Sequence, residues 1–302
     1  MKNKERTKIR ESKSRLIFNI FNYTLLALLS ITYIFPILHV FSLSLSSSTA
    51  AAAGKVSFFP VDFSWDAYAY LMRKADFFRS VNISFWRVVI GSLVNMTLIV
   101  LTAYPLSRSS EKFAWRNVYM VFFAVTMFIG GGLIPTYMVI RQLKLLDTFW
   151  ALIFPAAVNV WHIIIMMNFF RGLPSAVEEA AAIDGASHWR ILFQIYLPMS
   201  LPSLASLLLF CIIGHWNAWF DGMFYMNSPS NYPMATYLAT QILNNNRNIT
   251  NMTPEQLEKL VALHEKTMRS AQLFLSIVPI LIVYPFLQKF FIKGIVIGSV
   301  KQ

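Results

Sequence analysis

The chain has 302 residues, of which 56% are hydrophobic and 13% are charged, and its formal net charge is +12. Soluble domains carry about 25% charged residues, so this composition excludes an ordinary soluble protein and favours a membrane protein. The basic residues stand at the ends of apolar runs and not among aromatics on a polar face, which argues against nucleic-acid binding.

Six apolar runs predict an all-α, polytopic membrane protein with six transmembrane helices in contact with lipid. A membrane-spanning helix needs about 20 mostly apolar residues. Backbone groups in lipid must be paired internally, and these runs are too long for the strands of a barrel. The predicted spans are residues 16–45, 85–106, 117–140, 148–170, 199–225 and 270–288.

The distribution of lysine and arginine predicts the orientation of the spans. The N-terminus, the 107–116 and 171–198 loops and the C-terminus carry 15 of these residues, whereas the opposite and longer segments carry 10. Basic flanks stay in the cytoplasm, so residues 1–15 and 294–302 are expected there as a basic N-terminus and a tail, around one transmembrane domain at 16–293. The first run is too long for the apolar region of a cleaved signal peptide.

The predicted cytoplasmic loop has the pattern of a helix–turn–helix. Ser175 and Glu178 have the spacing of a capping box for a short, alanine-rich helix that runs to Ile183. Gly185 is the expected stop, because glycine takes a positive φ at little cost.

A second helix is expected after this turn, with Ser187 as its cap and an end before Pro198. Its apolar residues are expected to pack against the protein's own helices; they are Trp189, Ile191, Leu192 and Ile195.

Small and acidic residues around the turn predict a surface on which another protein docks. Alanine side chains let a partner approach the backbone closely, and carboxylates attract a basic partner. The alternative is a solvated, well-capped connector between two spans, which the fixed spacing of the pattern disfavours. The predicted docking residues are Glu178, Glu179, Ala180, Ala181, Asp184, Gly185, Ala186 and Ser187.

The loop resembles the EAA loop of permease subunits in bacterial ABC importers. That pattern is Glu-Ala-Ala, three residues, Gly, nine residues and Ile-x-Leu-Pro, and its matching positions here are Glu179, Ala180, Ala181, Gly185, Ile195, Leu197 and Pro198. Residues 183–187 and 291–301 are similar to the carbohydrate-uptake, maltose-type branch. Residues 131–137 and 214–220 resemble a subgroup that imports oligosaccharides and polysaccharide fragments.

The resemblance implies a five-helix permease core made of spans two to six, with span one outside it. It implies three kinds of partner: a second permease related by a pseudo-two-fold axis, two ATPase subunits, one of which holds the helix around Glu179–Ser187 in a cleft, and an extracytoplasmic solute-binding protein. The sequence has no Gly-x-x-x-x-Gly-Lys-Ser/Thr motif, so ATP and Mg are expected on the ATPases and no cofactor is expected in this chain. Closure of the ATPases would then switch the helices between outward-open and inward-open states.

The fifth span carries the predicted substrate contacts, which are His215, Trp216, Asn217, Trp219 and Asp221. Polar groups inside spans are functional candidates by default, and aromatic faces suit sugar rings. At helical spacing Asn217 and Asp221 share a face. The alternative is that the tryptophans only pack or lie at the membrane interface. Arg87 is expected to extend its charge to the interface.

Other polar or small residues in the spans are expected to serve helix packing. Asn159, His162 and Asn168 suit hydrogen bonds between helices, and Gly130–Gly132 predicts a broken or closely packed helix. The single cysteine, Cys211, lies in an apolar run and is expected to be a small buried residue.

Three alternatives to a sugar importer stay open. A permease of the same fold could carry another solute. A secondary carrier needs ionisable groups near the membrane midplane, for which only Asp221 is available. An intramembrane enzyme is disfavoured because the five histidines are scattered without an H-E-x-x-H pattern, so we expect no catalytic residue and no metal site.

Overall fold

The computed structural model describes residues 12–248 and 265–299, and most of them are helical. Within these ranges the β structure is one isolated antiparallel bridge between Ser46 and Phe63. Three expectations fall on residues outside the described ranges: the first eleven residues of the basic N-terminus, the middle of the loop before the last span, and the last three residues of the tail.

The helices are numbered along the chain. They are α1 Lys13–Ser44, α2 Ser48–Ala52, α3 Asp66–Arg73, α4 Ala75–Ser107, α5 Arg116–Phe128, α6 Leu133–Gln142, α7 Val160–Arg171, α8 Ser175–Ile183, α9 His188–Met199, α10 Leu201–Asn217, α11 Phe220–Tyr225, α12 Met234–Asn248 and α13 Glu265–Ser299. Short 3₁₀ turns lie at Phe149–Leu152, Phe154–Ala156 and Pro229–Asn231.

Three described helices are long and apolar enough to cross a membrane: α1, α4 and the Lys266–Phe286 part of α13. Three further pairs of helical segments meet this criterion together but are bent at a short break. The bend is 113° between α5 and α6, 51° between Phe149–Ala156 and α7, and 82° between α9 and α10. The described residues therefore contain three spans, or six if each bent pair is one span.

Three of the predicted spans, 117–140, 148–170 and 199–225, are not continuous α-helices in the structure. The first is interrupted at Gly130–Gly132, as its glycines predicted, and Gly132 has φ 78°. The second begins as 3₁₀ turns. The third ends as a helix at Asn217 and resumes at Phe220. Continuous hydropathy cannot reveal such breaks, because a broken apolar segment is as apolar as a straight one.

The second span is longer than its apolar run. α4 begins at Ala75, ten residues before the predicted start at 85, and ends at Ser107. Its first turns carry the polar residues Asp76, Arg79 and Ser80, so a search for apolar runs does not include them. They do not prevent a helix, and the negative charge of Asp76 is favourable at a helix N-terminus.

By its contacts the chain divides into two units, which are described separately. In the unit of Met1–Leu71 and Thr253–Phe274, the segment after α1 folds back onto the end of that helix. Ser64 N donates to Leu45 O at 2.9 Å, and Ser42 Oγ donates to Phe58 O at 2.6 Å. Most large apolar side chains of α1 are exposed, as expected of a helix that faces lipid.

In the unit of Met72–Met252 and Leu275–Gln302, α4 packs against both α7 and α10. The main core contains residues from these three helices and from α9, and Cys211 is buried in it as expected. The buried members are Ile99, Val100, Ala103, Tyr104, Leu106, Ile163, Met166, Met167, Phe170, Ile191, Leu192, Tyr196, Leu207 and Cys211.

One face of α4 is buried although it is polar. Ser80, Ser84, Arg87, Gly91 and Asn95 recur every three or four residues, so they lie in one stripe along the helix. Arg87 and Asn95 of this stripe pair backbone carbonyls at the helix breaks, and Ser84 Oγ accepts a hydrogen bond from Met234 N at 2.7 Å.

Asp147 joins the loop after α6 to the loop after α11. Its carboxylate accepts hydrogen bonds from Asn227 N at 3.1 Å, from Ser228 N at 3.2 Å and from Asn231 Nδ2 at 3.1 Å. Burial raises the pKa of this carboxyl, but the hydrogen bonds from Ser228, Asn231 and Asn227 outweigh burial and lower it. Its φ of 59° is one that aspartate tolerates better than most residues.

Candidate functional site

The helices α8 and α9 form the helix–turn–helix that the sequence predicts. Gly185 between them has φ 76°, and a Cβ at this position would meet no atom within 4 Å. Backbone conformation and not lack of space therefore favours glycine here. Ser187 Oγ accepts a hydrogen bond from Arg190 N at 3.3 Å. The stop at Gly185 and the cap at Ser187 are both confirmed.

Two local predictions for this loop are wrong. The capping box does not form, because Pro174 occupies the N-cap position, the helix begins at Ser175, and no side chain caps it. The second helix does not end before Pro198 but continues to Met199, through a π-helical turn over Leu192–Tyr196. A π turn changes the hydrogen-bond spacing, which lets the helix take in a proline that has no N–H to donate.

The turn presents an exposed surface to a partner. Glu179, Ala180, Asp184, Gly185 and Ser187 are exposed, whereas Ala181 and Ala186 are half-buried and pack against the core.

Apolar residues extend the exposed surface beyond the predicted set. Ile183 is 86% exposed and Trp189 is 62% exposed, and the Trp189 ring stacks on that of Phe193. Ile191 and Leu192 are buried as expected, but Trp189 points out, so its predicted packing is wrong. Sequence reasoning missed Ile183 as a surface residue; its position on the face opposite Ala181 was the available signal.

Glu178 differs from its neighbour Glu179 because its carboxylate is engaged within the chain. It accepts hydrogen bonds from Lys112 Nζ at 3.0 Å and from Tyr196 Oη at 2.8 Å, and it forms an ion pair with Arg108. Burial raises the pKa of the Glu178 carboxyl, but the hydrogen bonds from Tyr196 and Lys112 and the charge of Arg108 outweigh burial and lower it. Neither cation was singled out from the sequence, since both lie more than 60 positions away.

Within the predicted substrate cluster, His215 and Trp216 are buried by packing. His215 Nε2 lies 2.6 Å from Asn95 Oδ1, and Trp216 Nε1 donates to Ser276 O at 2.9 Å. Gly91 lies against His215, since a Cβ there would be 2.5 Å from His215 Nε2. These contacts are those of a helix interface.

Asn95 also pairs backbone carbonyls that the break before α7 leaves without helical partners. Its Nδ2 lies 2.8 Å from both Ala156 O and Ala157 O. An unpaired carbonyl inside a membrane costs several kcal/mol, so this amide compensates for the broken helix. Asn159 caps α7 by accepting from His162 N at 3.2 Å.

Asp221 forms an ion pair with Arg87, and Arg87 Nη1 donates to Ala218 O at 3.1 Å. Arg87 is only 1% exposed, so the expectation that it reaches the membrane interface is wrong. The helix break between Asn217 and Phe220 also removes the helical register on which the shared face of Asn217 and Asp221 was predicted.

Of the five predicted substrate residues, Asn217 and Trp219 are exposed. Asp221 is 24% exposed and ion-paired with Arg87. The structure does not bring the five together as one site.

Broken apolar helices whose freed backbone groups are paired by buried polar side chains, together with an exposed helix–turn–helix, define a multi-pass membrane transport protein. Residues 12–297 match the family described as binding-protein-dependent transport system inner membrane component. The chain belongs to this family, and the expected membership of the ABC importer permeases is confirmed.

Relatives and a solved structure resemble the chain over nearly its whole length. It is 35% identical over 289 residues to the polygalacturonan/rhamnogalacturonan transport system permease protein YtcP of Bacillus subtilis (strain 168), covering 96% of this chain and 99% of that protein. It is 28% identical over 301 residues to the maltodextrin transport system permease protein MdxG of the same organism, covering 96% and 99%. A chain of a bacterial ABC transporter involved in the import of the acidic polysaccharide alginate is 32% identical, with a TM-score of 0.82 and coverage of 94% and 100%.

Proposed function

We propose that this permease subunit imports oligosaccharides or polysaccharide fragments, driven by ATP that partner subunits hydrolyse. The observation that carries the coupling part is the exposed turn between α8 and α9, with its carboxylates, small residues and the positive φ of Gly185. A surface of this kind suits a helix that fits into a cleft of another protein, because small side chains allow close approach.

The docking residues proposed for the ATPase are the exposed members of the predicted set, together with Ile183. Exposed carboxylates at Glu179 and Asp184 would meet basic groups, and Ile183 would fill an apolar hollow. The loop and both termini would then lie in the cytoplasm, as the distribution of basic residues favours. ATP and Mg would be bound by two ATPase subunits and not by this chain.

The remaining partners follow from the family. A binding protein would deliver solute on the outer side, and a second permease would complete the pore about a pseudo-two-fold axis. No catalytic role is proposed for this chain.

A carbohydrate substrate is supported by the relatives, whose names refer to polygalacturonan, rhamnogalacturonan and maltodextrin. Within this chain, Asn217 and Trp219 are the proposed sugar contacts, because both are exposed at the break between α10 and α11. An amide can pair with hydroxyl groups, and an indole face can stack on a sugar ring.

The test is to tag the chain, extract it in mild detergent from its native membrane, and identify co-purifying proteins by mass spectrometry. A second permease, an ATPase and a binding protein are the expected result. The complex is then reconstituted and tested for uptake of short oligogalacturonides, alginate oligosaccharides and maltodextrins.

Two outcomes would redirect the proposal. Repeated recovery of the folded chain alone would favour an ion-driven secondary carrier. A complete complex that takes up none of the three sugar classes would favour a permease of the same fold for another solute.

A further inference from the structure

Glu178 and Glu179 are adjacent carboxylates on α8 with opposite environments. The Glu178 side chain is 12% exposed and receives groups from three other residues, whereas Glu179 is exposed. A carboxylate that is already ion-paired and hydrogen-bonded has little left to offer another protein. Glu178 therefore binds groups within this chain, whereas the carboxylate of Glu179 is accessible to another protein.

The cation that pairs with Glu178 is itself held in place. Arg108 is 8% exposed, and its guanidinium carbon lies 4.1 Å from the centre of the Tyr104 ring and 4.6 Å from that of Tyr196. Arg108 Nη1 also donates to Tyr196 Oη at 3.0 Å. Stacking on two aromatic faces fixes the direction of the guanidinium, which a flexible surface ion pair lacks.

The same group of residues connects four helices. Tyr104 and Arg108 lie at and just after the end of α4, Glu178 is on α8, and Tyr196 is on α9. Tyr104 Oη donates to His188 O at 3.1 Å, which ties the start of α9 to α4. The Phe170 ring at the end of α7 packs against both tyrosine rings, with centroids at 6.3 and 5.4 Å.

The contacts among Glu178, Arg108, Tyr104 and Tyr196 link α8 to the end of α4. These residues lie between the exposed turn at Gly185 and α4, the helix that packs against both α7 and α10. A displacement of α8 reaches α4 through charged and stacked contacts that resist bending. Without them, α8 would be linked to the bundle mainly by its half-buried Ala181 and by the chain itself.

We propose that Glu178, Arg108 and Tyr196 form an internal clamp that makes α8 move as one body with the end of α4, so that Glu178 is a positioning residue and not a docking contact. This inference rests on the proposed function, since it assigns the step between ATPase movement and the helices. It divides the predicted docking set: Glu179 and Asp184 face the partner, and Glu178 faces inward.

The experiment compares Glu178→Gln with Glu179→Gln in the complex purified from its native membrane. The two substitutions make the same chemical change at adjacent positions. Glu178→Gln is expected to keep the ATPase bound while uptake of oligogalacturonide per ATP hydrolysed falls at least about five-fold, the size of a typical coupling between sites. Glu179→Gln is expected to reduce the amount of ATPase that co-purifies.

A second measurement needs no transported sugar. Spin labels are attached at Ala176→Cys on α8 and Leu101→Cys on α4, and the distance between them is measured by pulsed electron paramagnetic resonance. The native Cys211 is buried, so it should not take up the label. In the otherwise unchanged complex the distance should stay constant when Mg-ATP and vanadate are added. With Glu178→Gln it should shift or broaden on addition of nucleotide.

Two variants protect the test against simple misfolding. Tyr196→Phe keeps the ring but removes the hydrogen bond that the hydroxyl donates to Glu178 and the one that it accepts from Arg108, and it should give a smaller loss of the same kind. Exchange of the charges, Glu178→Arg with Arg108→Glu, should restore part of the coupling that Glu178→Arg alone abolishes. Glu111→Gln, an exposed carboxylate beside Lys112, is the control expected to change nothing.

The outcomes separate this inference from the proposed function. If Glu178→Gln releases the ATPase as much as Glu179→Gln does, Glu178 is a docking contact and the clamp is wrong. Unchanged label distances and unchanged coupling would also overturn the clamp. Failure of the unmodified chain to bring down any ATPase would instead overturn the proposed function.

Discussion

Arg87 on α4 and Asp221 on α11 form an ion pair although they lie 134 positions apart in the sequence, with Arg87 buried and Asp221 24% exposed. The same guanidinium donates to Ala218 O, at the point where α10 has ended and α11 has not yet begun. One side chain therefore compensates a charge and a helix break together, which fastens the short helix α11 to the long helix α4.

Removing the arginine should destabilise the protein strongly. Arg87→Met leaves Asp221 without its counter-charge and Ala218 O without its donor, so we expect a loss of about 3 kcal/mol in the free energy of unfolding. Thermal unfolding in detergent checks this. The matched control is Arg79→Met, two turns earlier on α4, where the exposed pair with Asp76 at 4.0 Å should contribute less than about 1 kcal/mol. Equal losses in the two variants would show that the Arg87–Asp221 pair stabilises the protein no more than the exposed Arg79–Asp76 pair does.

Two glycines, Gly91 on α4 and Gly214 on α10, should respond in opposite ways to alanine. Gly91→Ala places a methyl group against the buried His215 ring, and overpacking of this kind costs about 1–3 kcal/mol. Gly214→Ala, one residue before His215, meets no atom within 4 Å and should be neutral or stabilising by up to about 1 kcal/mol, because alanine favours a helix. Unfolding of both variants is compared with the unchanged protein, and a harmless Gly91→Ala would contradict the close packing.

Substitution of Gly185 should act through the backbone. Gly185→Val forces a β-branched residue into φ 76°, which costs at least about 1–2 kcal/mol and should distort the turn. Uptake by the reconstituted complex is expected to be lost while the complex still assembles. Gly185→Asn is the matched variant, since asparagine tolerates this conformation, and it should keep most of the uptake. Full uptake with valine would show that the turn does not transmit movement.

Acidification should erase the contribution of Glu178 to stability. The folded-state pKa of this carboxyl lies below its ordinary value of 4.5, so its contribution is complete above that value and is lost as the pH falls through the folded pKa. The difference in Tm between the unchanged protein and Glu178→Gln should be constant from pH 7 to about pH 5 and shrink at lower pH. A difference that does not change down to about pH 3 would mean that the carboxylate is not the group responsible.

Loss of the Asp147 carboxylate should loosen the two loops that it joins. Asp147→Ala removes the acceptor for two backbone N–H groups. A hydrogen bond to a charged group contributes about 1.5–3 kcal/mol to stability. Hydrogen exchange at Ser228 N should become faster by at least about ten-fold. Asp147→Asn keeps one oxygen and the tolerance for positive φ, so its effect should be smaller. Unchanged exchange in Asp147→Ala would show that other contacts hold the loops.

The helix–turn–helix of α8 and α9 could be predicted well because its information is local. The stop at Gly185 and the cap at Ser187 depend on residues within one turn of each other, and the structure confirms both. The capping box failed because Pro174 occupies the N-cap position and because Glu178 is paired with Lys112 and Arg108, which lie outside the loop.

The substrate cluster was predicted less well, for the opposite reason. Its residues were grouped by helical spacing within one apolar run, but the run is broken after Asn217. His215 and Asp221 then found partners on α4, at Asn95 and Arg87, which no pattern within the fifth span can reveal.

The sequence by itself determined that this is a helical membrane protein with a helix–turn–helix between two spans, because hydrophobicity and turn chemistry act over a few residues. Only the tertiary structure decided which polar side chains remain free. A buried donor or carboxylate takes the nearest partner that folding brings to it, and Arg87, Asn95 and Glu178 each have a partner more than 60 positions away in the sequence.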